Sequence, residues 1–253
     1  MLKTRVIPCL QLINESLVKT VKFGKHGYIG DYINTVRIFN ELEVDELCFL
    51  DIRASKENRQ PGIELLHHIA DECFMPLSYG GGITDFETGK QILSIGFEKL
   101  VLNTVTYRNP DVLRKLSEHF GAQAMVASID VKKNLFGKYQ VFINDGTEKI
   151  NKEPLERAQE LVALGAGEIL LTSMDRDGTW SGYDVEITKK IAEAVNVPVI
   201  ANGGAGNIND IAEVVKKGKA SAVAVGSMFV YQKQGMGVLV NYPDKKELEN
   251  VLM

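Results

Sequence analysis

The chain repeats itself. One shift along its length carries Ile69, Ala70, Pro76, Gly81 and Gly82 onto Ile191, Ala192, Pro198, Gly203 and Gly204, and Glu46 onto Glu168. Near the start of each half a slightly shorter shift sets Gln11, after the apolar run VIPCL, opposite Asp130 at the end of MVASID. Two equivalent halves, approximately 1–122 and 123–253, need matching half-structures, and this narrows the architectures open to 253 residues. Apolar runs recur through both halves: VIPCL, ELCFLDI, PLSYG, KLVLNT, MVASID, EILLTS, VPVIAN and AVAVGS. Helical patterns follow over 31–42, 63–73, 86–95, 110–119, 154–164, 185–195, 208–217 and 245–252. Strands this apolar belong in a parallel sheet covered on its outside, and eight strand–helix units close into a single (β/α)8 barrel of two half-barrels. The alternative, an open doubly wound sheet, lacks its dinucleotide fingerprint, because the glycine clusters fall late in each half.

The formal net charge of −4 offers no general attraction to nucleic acid or anionic membrane, so any anion must be held locally. Cys9, Cys48 and Cys73 form no CxxC pair, which suggests neither a disulfide framework nor a metal site and leaves all three expected buried and inert. The chain starts directly in a strand-like run, and no apolar stretch reaches the roughly 18 residues of a membrane span, so a cytoplasmic protein is expected.

Glycines at parallel strand ends let backbone N–H groups approach an anion, and a following helix N-terminus adds favourable partial charge. That arrangement occurs twice. The first cradle comprises Gly80, Gly81, Gly82 and Ile83 with Asn103 and Thr104 from the next strand end; the second comprises Gly203, Gly204, Ala205 and Gly206 with Gly226 and Ser227. Asp177 and Gly178, in MDRDGT, are assigned to the second. Two cradles in register suggest a ligand with phosphates at both ends lying across the barrel mouth, and no cofactor is implied. Residues 14–30, with Lys19, Lys22, Lys25 and His26, form a longer connection that reads as a flexible lysine-bearing lid. Residues 132–150 read as a hairpin turning at Phe136–Gly137.

RVIPCL, FLDI, YGGGI, LNT, GAGEILLTSMDRDGT and GGAGN resemble the cyclase subunit family of imidazole glycerol phosphate synthase, over essentially the whole chain. The resemblance implies a barrel that takes ammonia from a class I glutaminase docked at its N-terminal face. It also implies two catalytic aspartates at the opposite face that cleave and cyclise a ribulosyl-phosphoribosyl imidazole carboxamide. Asp130 matches one of them; Gln11 stands where the other would be, and Lys19 is taken as a further catalytic position. The family's gate of one arginine, one lysine and two glutamates is matched by Arg5, Lys99, Glu46 and Glu168, and Glu98 matches an acidic position facing the glutaminase. An amide has no proton equilibrium near neutrality, so Gln11 should disable cyclisation. Asn202, Tyr79 and Asp31-Tyr32 also depart from the family's usual residues.

A branch of this family departs at the same aspartate, and the chain is similar to it in PCL-x-L, LVKTVKF and SIDVKKNLFGKY. These are glycosyl-amidation-associated proteins encoded with surface-polysaccharide genes. They imply an ammonia-supplying barrel that serves a separate ATP-using enzyme, which amidates an N-acetylated nucleotide sugar. Two alternatives stand beside this reading: a working histidine-pathway cyclase, and a non-catalytic phospho-ligand-binding activator of the glutaminase.

Overall fold

Eight parallel strands close into a barrel in the computed structural model, which describes residues 4–252. Residues 1–3 and Met253, the ends of the span expected to form the barrel, lie outside the described residues. The barrel strands are β1 (Arg5–Ile13), β2 (Leu47–Asp51), β3 (Leu77–Gly80), β4 (Lys99–Leu102), β5 (Met125–Lys133), β6 (Glu168–Ser173), β7 (Val199–Asn202) and β8 (Ala222–Val225). Each pairs with the next, and β8 returns to β1 with Ala222 opposite Arg5. Closure leaves the parallel sheet no free edge.

Helices α1 (Tyr32–Glu41), α2 (Ile63–Glu72), α3 (Phe86–Ile95), α4 (Asp111–Phe120), α5 (Pro154–Ala163), α6 (Val185–Ala192), α7 (Ile208–Lys216) and α8 (Lys245–Leu252) follow the strands in turn. Their starts are written locally. Asp31 accepts from Asn34 N at 2.9 Å, Asp85 accepts from Thr88 N at 2.8 Å, Asn207 and Asp210 form a reciprocal capping box, and Pro154 opens α5. Each turns an apolar stripe inward, as with Leu65, Leu66 and Ile69 of α2. Along β1 the side chains alternate: Val6, Leu10 and Leu12 pack beneath the helices, whereas Ile7 and Cys9 join Cys48, Val101, Val126, Leu170, Ile200, Ala222 and Ala224 in a separate apolar cluster inside the barrel.

Three features differ from the sequence expectation. Residues 14–30 are an ordered hairpin rather than a loose lid: Ser16–Thr20 pairs antiparallel with the end of β1, Gln11 opposite Val18, and then with His26–Gly30. Buried Leu17 and Val18 anchor it. Two short helices, Thr104–Arg108 and Ser227–Val230, follow β4 and β8 and are too brief to show a period. Cys73 is only half-buried, at the end of α2, while Cys9 and Cys48 are buried as expected. The second insertion is the expected hairpin: β5 runs to Lys133, turns at Asn134–Gly137 and pairs with Tyr139–Ile143, to which Glu148–Ile150 adds.

Candidate functional site

The C-terminal ends of the strands meet in two adjoining cavities. Gln11 near the end of β1 and Asp130 of β5 line the first, together with Gly80, Gly81, Gly82, Asn103 and Thr104. The second is lined by Lys19, Gly178, Gly203, Gly204, Ala205, Gly226 and Ser227. Gln11, Asp177 and Asn202 border both cavities, so the two expected cradles open onto one mouth with Gln11 between them.

Space requires glycine at two cradle positions. Gly82 has φ 69°, and a Cβ there would stand 2.5 Å from the Arg59 carbonyl oxygen; at Gly204, φ 111°, a Cβ would collide with the Gly182 carbonyl. Lys19 reaches into the second cavity from the hairpin: its buried ammonium donates to Cys9 O at 2.5 Å and lies where a Cβ on Gly226 would be 2.7 Å away. Burial lowers its proton affinity, and the charge of an anion in this cradle would restore it.

Asp130 accepts from Asn103 Nδ2 at 2.8 Å. Burial pushes its carboxyl up to about 7, outweighing hydrogen bonds from Asn103 and Thr172 that favour the anion. It is therefore poised to take or give a proton near neutrality. Gln11 does no such thing. Its Oε1 accepts from Thr20 N at 3.1 Å and Thr20 Oγ1 at 3.3 Å, leaving its NH2 as a donor. Asp177, assigned to the second cradle, lines that cavity; its N–H donates to Ser173 O at 3.0 Å, and its carboxylate accepts from Thr20 Oγ1 at 2.7 Å and Phe23 N at 3.3 Å. Its carboxylate fastens the first hairpin to the mouth, and the residue borders both cavities.

Several lining residues escape the sequence reading. Asp51 lies beside the first cradle and is held bidentately by Arg59, at 2.7 and 3.1 Å. Asp145, on the tight Asn144–Gly146 turn of the second insertion, faces the same cavity with Lys56 at 3.6 Å, and burial raises its proton affinity. The FLDI motif and the Asn-Asp-Gly turn mark these positions. Thr172 carries no motif; it borders the first cavity and accepts from Asn202 Nδ2 at 3.1 Å.

At the other end of the barrel four charges converge. Arg5 reaches Glu46 at 2.6 Å and Glu168 at 2.8 Å, and Lys99 reaches the same two at 3.0 and 3.3 Å. Glu46 stands just before β2, and the other three open β1, β4 and β6, so the ring closes the N-terminal mouth. Two cations against two anions leave no net charge. Glu98, the exposed neighbour of Lys99, lies on the same face. Among the described residues no group of histidine, cysteine, aspartate or glutamate side chains is arranged to hold a metal ion, and no helix is long and apolar enough to cross a membrane.

A family model for a histidine biosynthesis protein matches residues 5–235. A Pseudomonas aeruginosa protein with the provisional name imidazole glycerol phosphate synthase subunit hisF2 is 47% identical over 249 residues, which cover 98% of this chain and 99% of the relative. A Leptospira borgpetersenii protein, provisionally named as the HisF subunit of the same synthase, is 44% identical over 98% of both chains. The imidazole glycerol phosphate synthase subunit HisF of Alkaliphilus metalliredigens is 43% identical over 92% of both.

Proposed function

The chain belongs to the histidine biosynthesis protein family as a HisF-type barrel, and from that premise we propose that it receives ammonia from a glutaminase and passes it on without cyclising a substrate itself. The observation that carries this reading is the contrast between the two mouths: a complete ring of Arg5, Glu46, Lys99 and Glu168 at one end, and Gln11 in place of an acid at the other. The glutaminase docks at the N-terminal face, with Glu98 in its footprint. Neutral ammonia passes the charge ring after a small displacement of Lys99 and enters the apolar interior lined by Ile7, Val101, Val126 and Leu170, where ammonium would pay a large desolvation penalty. It leaves at the C-terminal mouth for a separate ATP-using enzyme. That enzyme activates the amide oxygen of an N-acetylated nucleotide sugar, ammonia adds to the carbon, and the activated oxygen departs, leaving an acetamidino group for surface-polysaccharide synthesis. The paired cradles keep a phosphorylated ligand at the mouth.

A second reading, a histidine-pathway cyclase, is favoured by Asp130, whose proton affinity suits general acid–base work. One assay separates the two: turnover of the ribulosyl-phosphoribosyl imidazole carboxamide under saturating ammonium, which bypasses the glutaminase. We expect a rate at least about 100-fold below that of a two-aspartate HisF relative, the usual worth of one general acid or base, with partial recovery in Gln11→Asp. Turnover matching the relative would return the chain to cyclase chemistry.

A further inference from the structure

The sole tryptophan of the chain sits beside the second cradle, on a backbone that large side chains avoid. Trp180 has φ 61°. Its counterpart under the internal repeat is Asn58, which has φ 50°. Asparagine is at ease in the left-handed region, whereas a bulky residue there is a conformational outlier that the surrounding structure has to hold. The two halves thus share one turn geometry, and only the second half has put an indole on it.

What surrounds each turn also differs. Outside the first cradle, Asn58, Arg59 and Arg108 line a groove with Ile83 and Val105 that meets Gly82 and Thr104 and has no aromatic residue in its lining. Outside the second, Trp180, Tyr231 and Gln234 line a cavity of about 430 Å³ that shares Lys19, Gly178 and Ser227 with the cradle itself. This volume is in the range of small-molecule sites. Two aromatic residues, an amide and an adjoining anion site with a buried ammonium form a set of complementary parts. The aromatics offer stacking faces, Gln234 offers a donor and an acceptor to a heterocycle edge, and the cradle takes the negative charge.

We infer that this groove holds the base of a nucleoside phosphate, with the phosphate in the second cradle and the base against Trp180 and Tyr231. The inference rests on the proposed anion-holding role of that cradle and adds the ligand's class. It makes the barrel itself a receptor for the nucleotide end of the molecule to be amidated, which would set that molecule beside the ammonia exit.

The single tryptophan makes the test direct. Uridine 5′-diphosphate and inorganic pyrophosphate are titrated against the full-length protein, followed by tryptophan fluorescence and by calorimetry. The nucleotide should quench Trp180 and bind at least about 10-fold more tightly than pyrophosphate, since base–aromatic stacking is worth about a decade or more in affinity. Trp180→Asn, which installs the residue its counterpart already tolerates on this backbone, should remain folded and bind nucleotide no better than pyrophosphate. Tyr231→Leu, which keeps the fluorophore, should weaken the nucleotide alone. Equal affinity for both ligands in the unmodified protein would overturn the base groove and leave the anion cradle standing. Absence of binding by either would overturn the cradle as well.

Discussion

Asp130 is a carboxyl that the fold prefers protonated. Burial raises its pKa to about 7, while in the unfolded chain it titrates near 4, so the folded state holds the extra proton between these values. Stability is then lost as pH rises from about 4 through 7. An Asp130→Asn protein keeps an acceptor for Asn103 and removes the buried charge. It should match the unmodified protein near pH 4 and be more stable by about 2–4 kcal/mol at pH 8, seen as a melting temperature higher by on the order of 5–10 °C. Equal melting at both values would mean that Asp130 is not buried as an anion. Gln11 has no such linkage, which is the chemical meaning of the amide at this position.

Beside the hairpin's pairing with β1 and the Thr20 bonds to Gln11, Asp177 ties it to the mouth through Thr20 and Phe23 on its carboxylate and Lys22 N on its carbonyl at 2.9 Å. Removing the carboxylate leaves Phe23 N without its side-chain acceptor and Thr20 Oγ1 with only its longer bond to Gln11, a cost of about 1–3 kcal/mol placed on one element. In Asp177→Ala, amide exchange over residues 16–30 should quicken about 10- to 100-fold, while β2–β4 keep their protection. Uniform loss of protection would make Asp177 a global support instead. The lysine-rich composition of this segment suggests a mobile lid. The run 17–20 is buried on both faces rather than alternating, and two short strands register as structure only when β1 is there to pair with them.

At the scale of the molecule, the four-charge ring joins residues up to 163 positions apart, Arg5 and Glu168. Lys99→Met takes one cation from a balanced set and leaves Glu46 and Glu168 to share Arg5. With a glutaminase bound, this change should uncouple glutamine hydrolysis from ammonia use several-fold, measured as ammonia released to solvent per product formed, and should lower the melting temperature modestly. Tight coupling in the variant would remove the ring from the ammonia route. By itself the sequence determined the eight strand–helix units, the two glycine clusters in register and the placing of Gln11 opposite Asp130 under the internal repeat, because apolar periodicity and glycine requirements act over a few neighbours along the chain. Only the tertiary structure decided that Asp177 binds the hairpin, that Asp51, Asp145 and Thr172 line the mouth, and that Trp180 flanks the second cradle. Those facts depend on which strand ends barrel closure brings together and on how far each side chain is withdrawn from water, and neither is encoded in local spacing.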